Sequence, residues 1–282
     1  MNEDNLIIYH SADFDGKFSR DVVETYLNDN QESFKSVGWN HNEKTIEIDR
    51  YKNVYIVDLP ITCAQDFENN LGKITWIDHH AAVIEQYKDL KVKGLRRVGR
   101  GACELCFNYL FPHEELPKSL ELVSSHDVWD LSEETENFQY GLRTIDEKYQ
   151  NLWDSNGKID EILDTGKTIL KYQVAQNKIL MKNARYIEFE GYKTICMNNS
   201  IGGSEIFDSI DPETYDIMLT YHNTKDNEWA YSVYSKKEID VSIIARKFKG
   251  GGHYHAAGAT LPYLLPELDN INRELKLKGT LD

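Results

Sequence analysis

Carboxylates and imidazoles recur in this chain at the ends of short apolar runs. Leu6-Ile7-Ile8-Tyr9 ends at His10, with Asp13 and Asp15 just beyond. Val54-Tyr55-Ile56-Val57 ends at Asp58, and Ile74-Thr75-Trp76-Ile77 at Asp78-His79-His80. Leu120–Val123 leads through Ser124-Ser125-His126 to Asp127. His10, Asp13, Asp15, Asp58, His79 and Asp127 therefore form a candidate ligand set without thiolates. Such a set suits Mn²⁺, Mg²⁺ or a similar divalent ion rather than structural zinc. Six ligands are enough for two ions with one carboxylate shared. Two ions about 3.5–4 Å apart can hold a hydroxide and stabilise the entering and leaving oxygens of a phosphoryl transfer. Taken singly, each residue has a plainer reading. Asp13 and Asp15 before Gly16 could be turn and N-cap residues, Asp58 a strand-end turn residue, and His79 a hydrogen-bonded core histidine. Their joint occurrence, at one expected strand end after another, favours a single assembled site.

The elements that must position these residues follow from periodicity. Val54–Asp58 and Ile74–Asp78 read as buried parallel strands, and Phe18–Leu27 reads as a helix after Gly16. Ala102–Leu110 reads as a helix opened by Gly101. This alternation predicts an α/β fold with an N-terminal doubly wound, mostly parallel sheet, whose ligands gather at strand ends. A proline-free amphipathic stretch from about Ile159 to Tyr186 reads as a long linker helix. Beyond it, Tyr192–Met197, Tyr215–Tyr221 and Trp229–Ser235 read as strands, and Val241–Phe248 as a short helix before Lys249-Gly250-Gly251-Gly252-His253. The expected organisation is a first domain over 1–156, a linker helix over 157–186 and a smaller α/β domain over 187–282.

Composition narrows the function. The 282 residues carry a formal net charge of −15, which disfavours binding of long nucleic acid, since that depends on phosphate neutralisation. No apolar run approaches the roughly 20 residues of a membrane span, and MNEDNLIIYH does not read as a secretory signal. Four cysteines are too few for a disulfide scaffold. A cytoplasmic protein without membrane contact is expected. A homodimer is allowed for, although oligomeric state has no signature in the sequence.

The segments His10-Ser11-Ala12-Asp13-Phe14-Asp15-Gly16, Asp58, Asp78-His79-His80 and Asp127 in HDVW resemble the four motifs of the DHH phosphoesterase superfamily. Lys249-Gly250-Gly251-Gly252-His253-Tyr254-His255-Ala256-Ala257-Gly258 is similar to the GGGH motif of the DHH-associated C-terminal domain. The resemblance implies that His10 and Asp13 hold one Mn²⁺, that Asp15, His79 and Asp127 hold a second, and that Asp58 bridges them. It implies that His80 faces the scissile phosphate, and that Asp78 orients the histidines. It further implies that Gly250, Gly251 and Gly252 let backbone approach a substrate phosphate while His253 donates to it. Consecutive glycines expose N–H groups in a way that suits an anion; a flexible turn is the plainer reading of the loop alone.

Within that family, the expectation is a metal-dependent phosphodiesterase that hydrolyses very short oligonucleotides to mononucleotides. A cyclic-nucleotide or cyclic-dinucleotide hydrolase, a 3′-phosphoadenosine 5′-phosphate phosphatase and a non-catalytic nucleotide-sequestering protein stand as alternatives. Lys17, beside the ligand cluster, and Arg100, before the Gly101-opened helix, are candidate substrate contacts; helix N–H groups next to Arg100 could hold a phosphate. Arg20 reads as part of a solvated helix face. Cys103 and Cys106 read as buried structural residues, and Trp129 and Trp153 as core rather than base-stacking residues. Tyr234 stands where many relatives have arginine.

Overall fold

The computed structural model describes residues 4–40, 43–145 and 156–269. The chain divides into two compact units, Met1–Leu170 and Lys171–Asp282.

In the first unit, strands β1 (Asn5–His10), β2 (Phe34–Trp39), β3 (Asn53–Val57) and β4 (Ile74–Ile77) form one sheet in the order β2-β1-β3-β4. All neighbouring strands run parallel. Side chains alternate between faces along each strand. Ile7, Val57 and Ile77 pack with helices α1 (Phe14–Asp29), α3 (Ala102–Leu110), α4 (Lys118–Asp127) and α5 (Glu133–Leu142). Leu6, Ile8, Val54, Ile56, Ile74 and Trp76 pack on the opposite face, where α2 (Ala81–Gln86) follows β4. The result is a three-layer α/β unit with near-continuous apolar strands, as a doubly covered sheet requires. Strand order reverses between β1 and β3, so a crevice opens at their carboxyl ends. His10 ends β1 and Asp58 directly follows β3.

The helices start where local chemistry sets them. The Asp13 side chain accepts from Gly16 N at 3.0 Å and caps α1. Ser132 and Thr135 form a reciprocal capping box at α5. The expected strand-like delivery of Asp127 is corrected here, because Leu120–Val123 lies inside α4 and Asp127 is that helix's last residue.

The long helix α6 (Asn156–Leu180) carries the division between the units along its length. Its first part buries Ile159 and Ile162 in the core of the first unit. It ends six residues short of the expected Tyr186: a 3₁₀ turn at Met181–Asn183 follows, and Arg185 and Tyr186 open β5 (Arg185–Phe189).

The second unit is a six-stranded mixed sheet in the order β5-β6-β7-β8-β10-β9. It comprises β5, β6 (Tyr192–Asn198), β7 (Ile217–Asn223), β8 (Trp229–Tyr234), β9 (Gly251–Gly252) and β10 (Ala256–Leu261). β6 and β7 run parallel and the other pairs antiparallel. Helix α7 (Val241–Lys247) covers one face through Val241, Ile244 and Ala245. Met181, Ile206, Phe207 and Tyr215 cover the other.

Candidate metal centre

The crevice at β1 and β3 gathers the ligand candidates. His10 Nδ1 lies 2.7 Å from Asp13 Oδ2 and 3.4 Å from Asp58 Oδ2. His79 Nε2 lies 3.1 Å from Asp127 Oδ2, 3.3 Å from Asp58 Oδ1 and 3.7 Å from Asp15 Oδ2. Asp58 thus turns one oxygen toward each histidine. His10, Asp13 and Asp58 form one group with metal-ligand spacing, and Asp15, His79 and Asp127 form another. Asp58, only 2 % exposed, holds this place with a left-handed φ of +57°, a conformation that aspartate tolerates better than most residues.

Asp15 is fixed from behind. Its carboxylate accepts from Ala102 N at 2.6 Å and Cys103 N at 2.8 Å, at the N-terminus of α3. The helix dipole and two otherwise orphaned N–H groups hold the buried charge. Gly101 N donates to Ser124 Oγ at 2.8 Å, and Ser124 donates to Glu104. This corrects the expectation that these amides, with Arg100, hold a substrate phosphate: Asp15 already occupies them. The Arg100 guanidinium lies 3.5 Å from Glu104. Gly101 marked the helix start in the sequence, but nothing there marked Asp15 as its partner.

The charge balance of the cluster fits divalent cations. Burial lowers the His79 pKa, but the nearby Asp127, Asp58 and Asp15 carboxylates outweigh it and raise the value to about 12. His10 responds in the same way to burial and to Asp13 and Asp58, and rises to about 10. Burial, followed by repulsion from Asp58 and Asp127, pushes the Asp15 pKa well above its ordinary value. Protons therefore sit where the carboxylates demand positive charge. Asp58 Oδ1 is buried and meets no hydrogen-bond geometry, so this oxygen has capacity to ligate. A set of oxygen and imidazole donors with such an oxygen fits Mn²⁺ or Mg²⁺.

Comparison with known proteins agrees with this architecture. Residues 206–277 match the DHHA1 domain. The pGpG-specific phosphodiesterase PggH of Vibrio cholerae is similar in structure, with a TM-score of 0.54 and 13 % identity over 99 % of both chains. An exopolyphosphatase-related protein of Bacteroides fragilis gives 0.54 at 12 % identity, over 98 % of this chain and 92 % of that one. Exonuclease RecJ bound to manganese gives 0.51 at 15 % identity, over 92 % and 86 %. The chain thus shares the fold of these structures. An uncharacterized protein of Acanthamoeba polyphaga mimivirus is 29 % identical over 235 residues, covering 74 % of this chain. The chain spans about half, 53 %, of that relative's length.

The DHH tripeptide is organised by its first residue. Asp78 is fully buried, and its Oδ1 accepts from His79 N at 2.7 Å and His80 N at 3.2 Å. The same oxygen lies 2.6 Å from His80 Nδ1. Burial lowers the His80 pKa, but the Asp78 hydrogen bond and charge, with Asp58, hold it above the ordinary value. Asp78 thus fixes the His80 ring and both adjoining amides, while the His79 ring faces Asp15, Asp58 and Asp127.

In the segment that matches the DHHA1 domain, the glycine loop is a hairpin rather than a flexible turn: β9 pairs antiparallel with β10, and His253 N donates to Ala256 O at 2.7 Å. A Cβ on Gly250 would lie 2.0 Å from Gly258 O, and one on Gly252 would lie 2.5 Å from Ala257 Cα. A Cβ on Gly251 would meet nothing. Packing therefore explains two of the three glycines and leaves Gly251 unexplained. His253 is exposed.

The remaining sequence candidates separate. Lys17 is half-buried, its ammonium 5.5 Å from the Phe14 ring centre. Arg20 is not part of a solvated face. Its side chain is 18 % exposed, bonds Asp21 and Tyr9, lies 3.7 Å from Glu24 and stacks 5.0 Å over the Tyr9 ring. A single sequence shows such a charge but not its partners. Cys103 and Cys106 are fully buried, and burial with the nearby Asp15 charge pushes both thiols well above the ordinary range. Trp129 is half-buried with φ +65° rather than a core residue; Trp153 lies outside the described residues.

Proposed function

We propose that the chain is a metal-dependent phosphodiesterase that hydrolyses very short oligonucleotides to mononucleotides. The observation that carries this reading is the position of Asp58, with one oxygen 3.4 Å from His10 and the other 3.3 Å from His79. In this reading His10 and Asp13 hold one divalent ion, Asp15, His79 and Asp127 hold a second, and Asp58 serves both. Such ions supply an activated water at neutral pH and neutralise charge on a transferring phosphoryl group. Mn²⁺ is favoured by the manganese bound to the similar RecJ, with Mg²⁺ the nearest substitute in ligand preference.

The chain's own residues supply the rest. His80, oriented by Asp78 and with its pKa held above the ordinary value, faces the reacting phosphate and donates to it in this reading. In this reading the loop Gly250–His253 takes a substrate phosphate through the exposed His253 imidazole, its glycines allowing close approach, while Gly250 N and His253 N stay bonded to Ala245 O and Ala256 O. A linear dinucleotide fits best, because the similar PggH acts on pGpG and because a chain of net charge −15 is poorly suited to long nucleic acid.

The test is turnover with Mn²⁺ and with EDTA on di- to decanucleotides, a cyclic dinucleotide and 3′-phosphoadenosine 5′-phosphate. Fastest metal-dependent cleavage of the shortest linear substrates is expected. Preference for the cyclic or the adenosine bisphosphate substrate would replace the substrate class. Tight binding without turnover of any of them would replace the enzyme with a sequestering protein.

A further inference from the structure

Helix α4 ends at Asp127, Val128 is its C-cap, and Trp129 follows with φ +65°. Trp129 N donates to His126 O at 3.1 Å, and Asp130 N to Ser125 O at 2.9 Å. These two bonds make a helix-closing turn whose left-handed residue is usually glycine. A bulky side chain in that conformation is an outlier. Helices α1 and α7 close in the same way on Gln31 and Lys249, both polar and exposed. The conformation alone therefore decides nothing. What sets the third turn apart is that its left-handed residue is an aromatic one and stands two residues beyond a candidate metal ligand.

That position matters because of how the second ligand group opens. The Asp15 and His79 side chains are 0 % and 6 % exposed, whereas the Asp127 side chain is 27 % exposed. A substrate reaching this group comes past Asp127. Trp129 lies within about 7 Å of chain from Asp127, in the half-buried run Ser125–Trp129.

The charges of this segment say which part of a nucleotide suits it. Between Lys118 and Arg143 the chain has no lysine or arginine, but it carries Asp127, Asp130, Glu133, Glu134 and Glu136. Such a rim repels a phosphate that no metal ion neutralises. It does not repel a nucleobase, which is uncharged and offers a π face that an indole can cover.

We propose that Trp129 is a specificity-determining residue whose indole stacks on a nucleobase of the substrate, beside the group Asp15, His79 and Asp127. This inference rests on the phosphodiesterase reading and deepens it by naming a base contact. An aromatic ring held at a backbone position that favours glycine is then explained by what the ring does.

The experiment compares KM of the full chain, with Mn²⁺, on a dinucleotide carrying both bases and on the same dinucleotide made abasic at its 5′ or its 3′ residue. Trp129→Gly and Trp129→Asn remove the ring and suit the left-handed turn, and Trp129→Phe keeps an aromatic face; each variant is measured with its unfolding midpoint. Stacking of one base on an aromatic side chain gives about 5- to 150-fold in affinity. The wild type is therefore expected to show at least about fivefold lower KM with the base at one of the two positions. Trp129→Gly and Trp129→Asn should bring that ratio to within about twofold, and Trp129→Phe should keep most of it. Tryptophan emission gives a second readout that needs no turnover. Adenosine monophosphate should quench it more than ribose 5-phosphate does, and this difference should be lost in Trp129→Phe, which keeps the other four of the five tryptophans. A purely structural Trp129 would move the midpoints of the Gly and Asn variants and leave their base preference intact, which would overturn the proposal. Quenching that persists undiminished in Trp129→Phe would assign the base to another tryptophan and overturn it as well. A wild type that cleaves the dinucleotide without preferring a base at either position would overturn it alone. A wild type that cleaves none of these substrates would overturn the phosphodiesterase reading, and this proposal with it.

Discussion

Asp58→Asn separates a shared metal ligand from a turn residue at a strand end. Asparagine keeps the volume and tolerates the left-handed φ of +57°, so the backbone after β3 should hold. The substitution removes the charge that stands 3.4 Å from His10 and 3.3 Å from His79. In the wild type, Mn²⁺ at about 100 times its Kd stabilises the folded state by about 2.7 kcal/mol per site. For a unit of about 170 residues, that raises the unfolding midpoint by about 5–11 °C. Removing one partner of a buried charge interaction costs about 3–5 kcal/mol, or about 10²- to 10⁴-fold in affinity. At the same Mn²⁺ concentration the shift should then fall below about 2 °C, with turnover reduced by at least about 10²-fold. Asp58→Ala should lose the shift as well, and should also melt lower without metal, because a left-handed alanine costs about 1–2 kcal/mol. Scanning calorimetry with and without Mn²⁺, together with metal stoichiometry by mass spectrometry, reads all of this. An Asp58→Asn protein that keeps the full Mn²⁺ shift and wild-type turnover refutes the shared-ligand assignment.

Gly16→Ala would improve helix propensity by about 1 kcal/mol in an ordinary helix. Here the new Cβ would lie 2.1 Å from His10 O and 2.6 Å from His10 Cβ, so a lower unfolding midpoint and weaker Mn²⁺ binding are expected; a higher midpoint would refute the close approach. Asp78→Asn should leave metal stoichiometry intact, lower the His80 pKa measured by NMR titration and reduce kcat, because it removes the hydrogen bond and charge that raise that pKa. An unmoved His80 titration would count against the coupling. Mn²⁺ binding should release protons at pH 7, because His10 and His79, raised to about 10 and about 12 without metal, must lose theirs to ligate. Apparent affinity should therefore fall as pH falls, and calorimetry in buffers of different ionisation enthalpy measures the release.

What was legible in the sequence, and what was not, follows from the range of the interactions involved. The runs Leu6–Tyr9 and Val54–Val57 each lie within one strand, and their periodicity needs no partner to be seen. The same is true of the helix Ala102–Leu110, whose expected bounds match α3. Leu120–Val123 is ambiguous by nature, since four apolar residues suit a buried strand or a helix turn, and only the longer stretch Lys118–Asp127 decides it. β10 was missed because AAGATL is poor in the branched and aromatic residues that mark strands; its place comes from pairing with β8 across more than twenty residues. The site divides in the same way. His10, Asp58 and His79 were visible because each follows an apolar run.

The residues that hold the ligands in place were harder to read, because their partners are distant in sequence. Asp15 is held by amides 87 and 88 residues away, at a helix start that in the letters alone suits a phosphate equally well. Arg20 looked solvated because Tyr9 lies eleven residues upstream on another element. Backbone conformation is invisible in the same sense: nothing in the letters marks Asp58 or Lys249 as left-handed. Such residues are not confined to function, since Glu190 and Asn227 take positive φ between paired strands, where a tight turn explains it. Asp58 lacks that explanation, for glycine would serve its backbone better. A side chain kept there at a conformational cost points to what the carboxylate does.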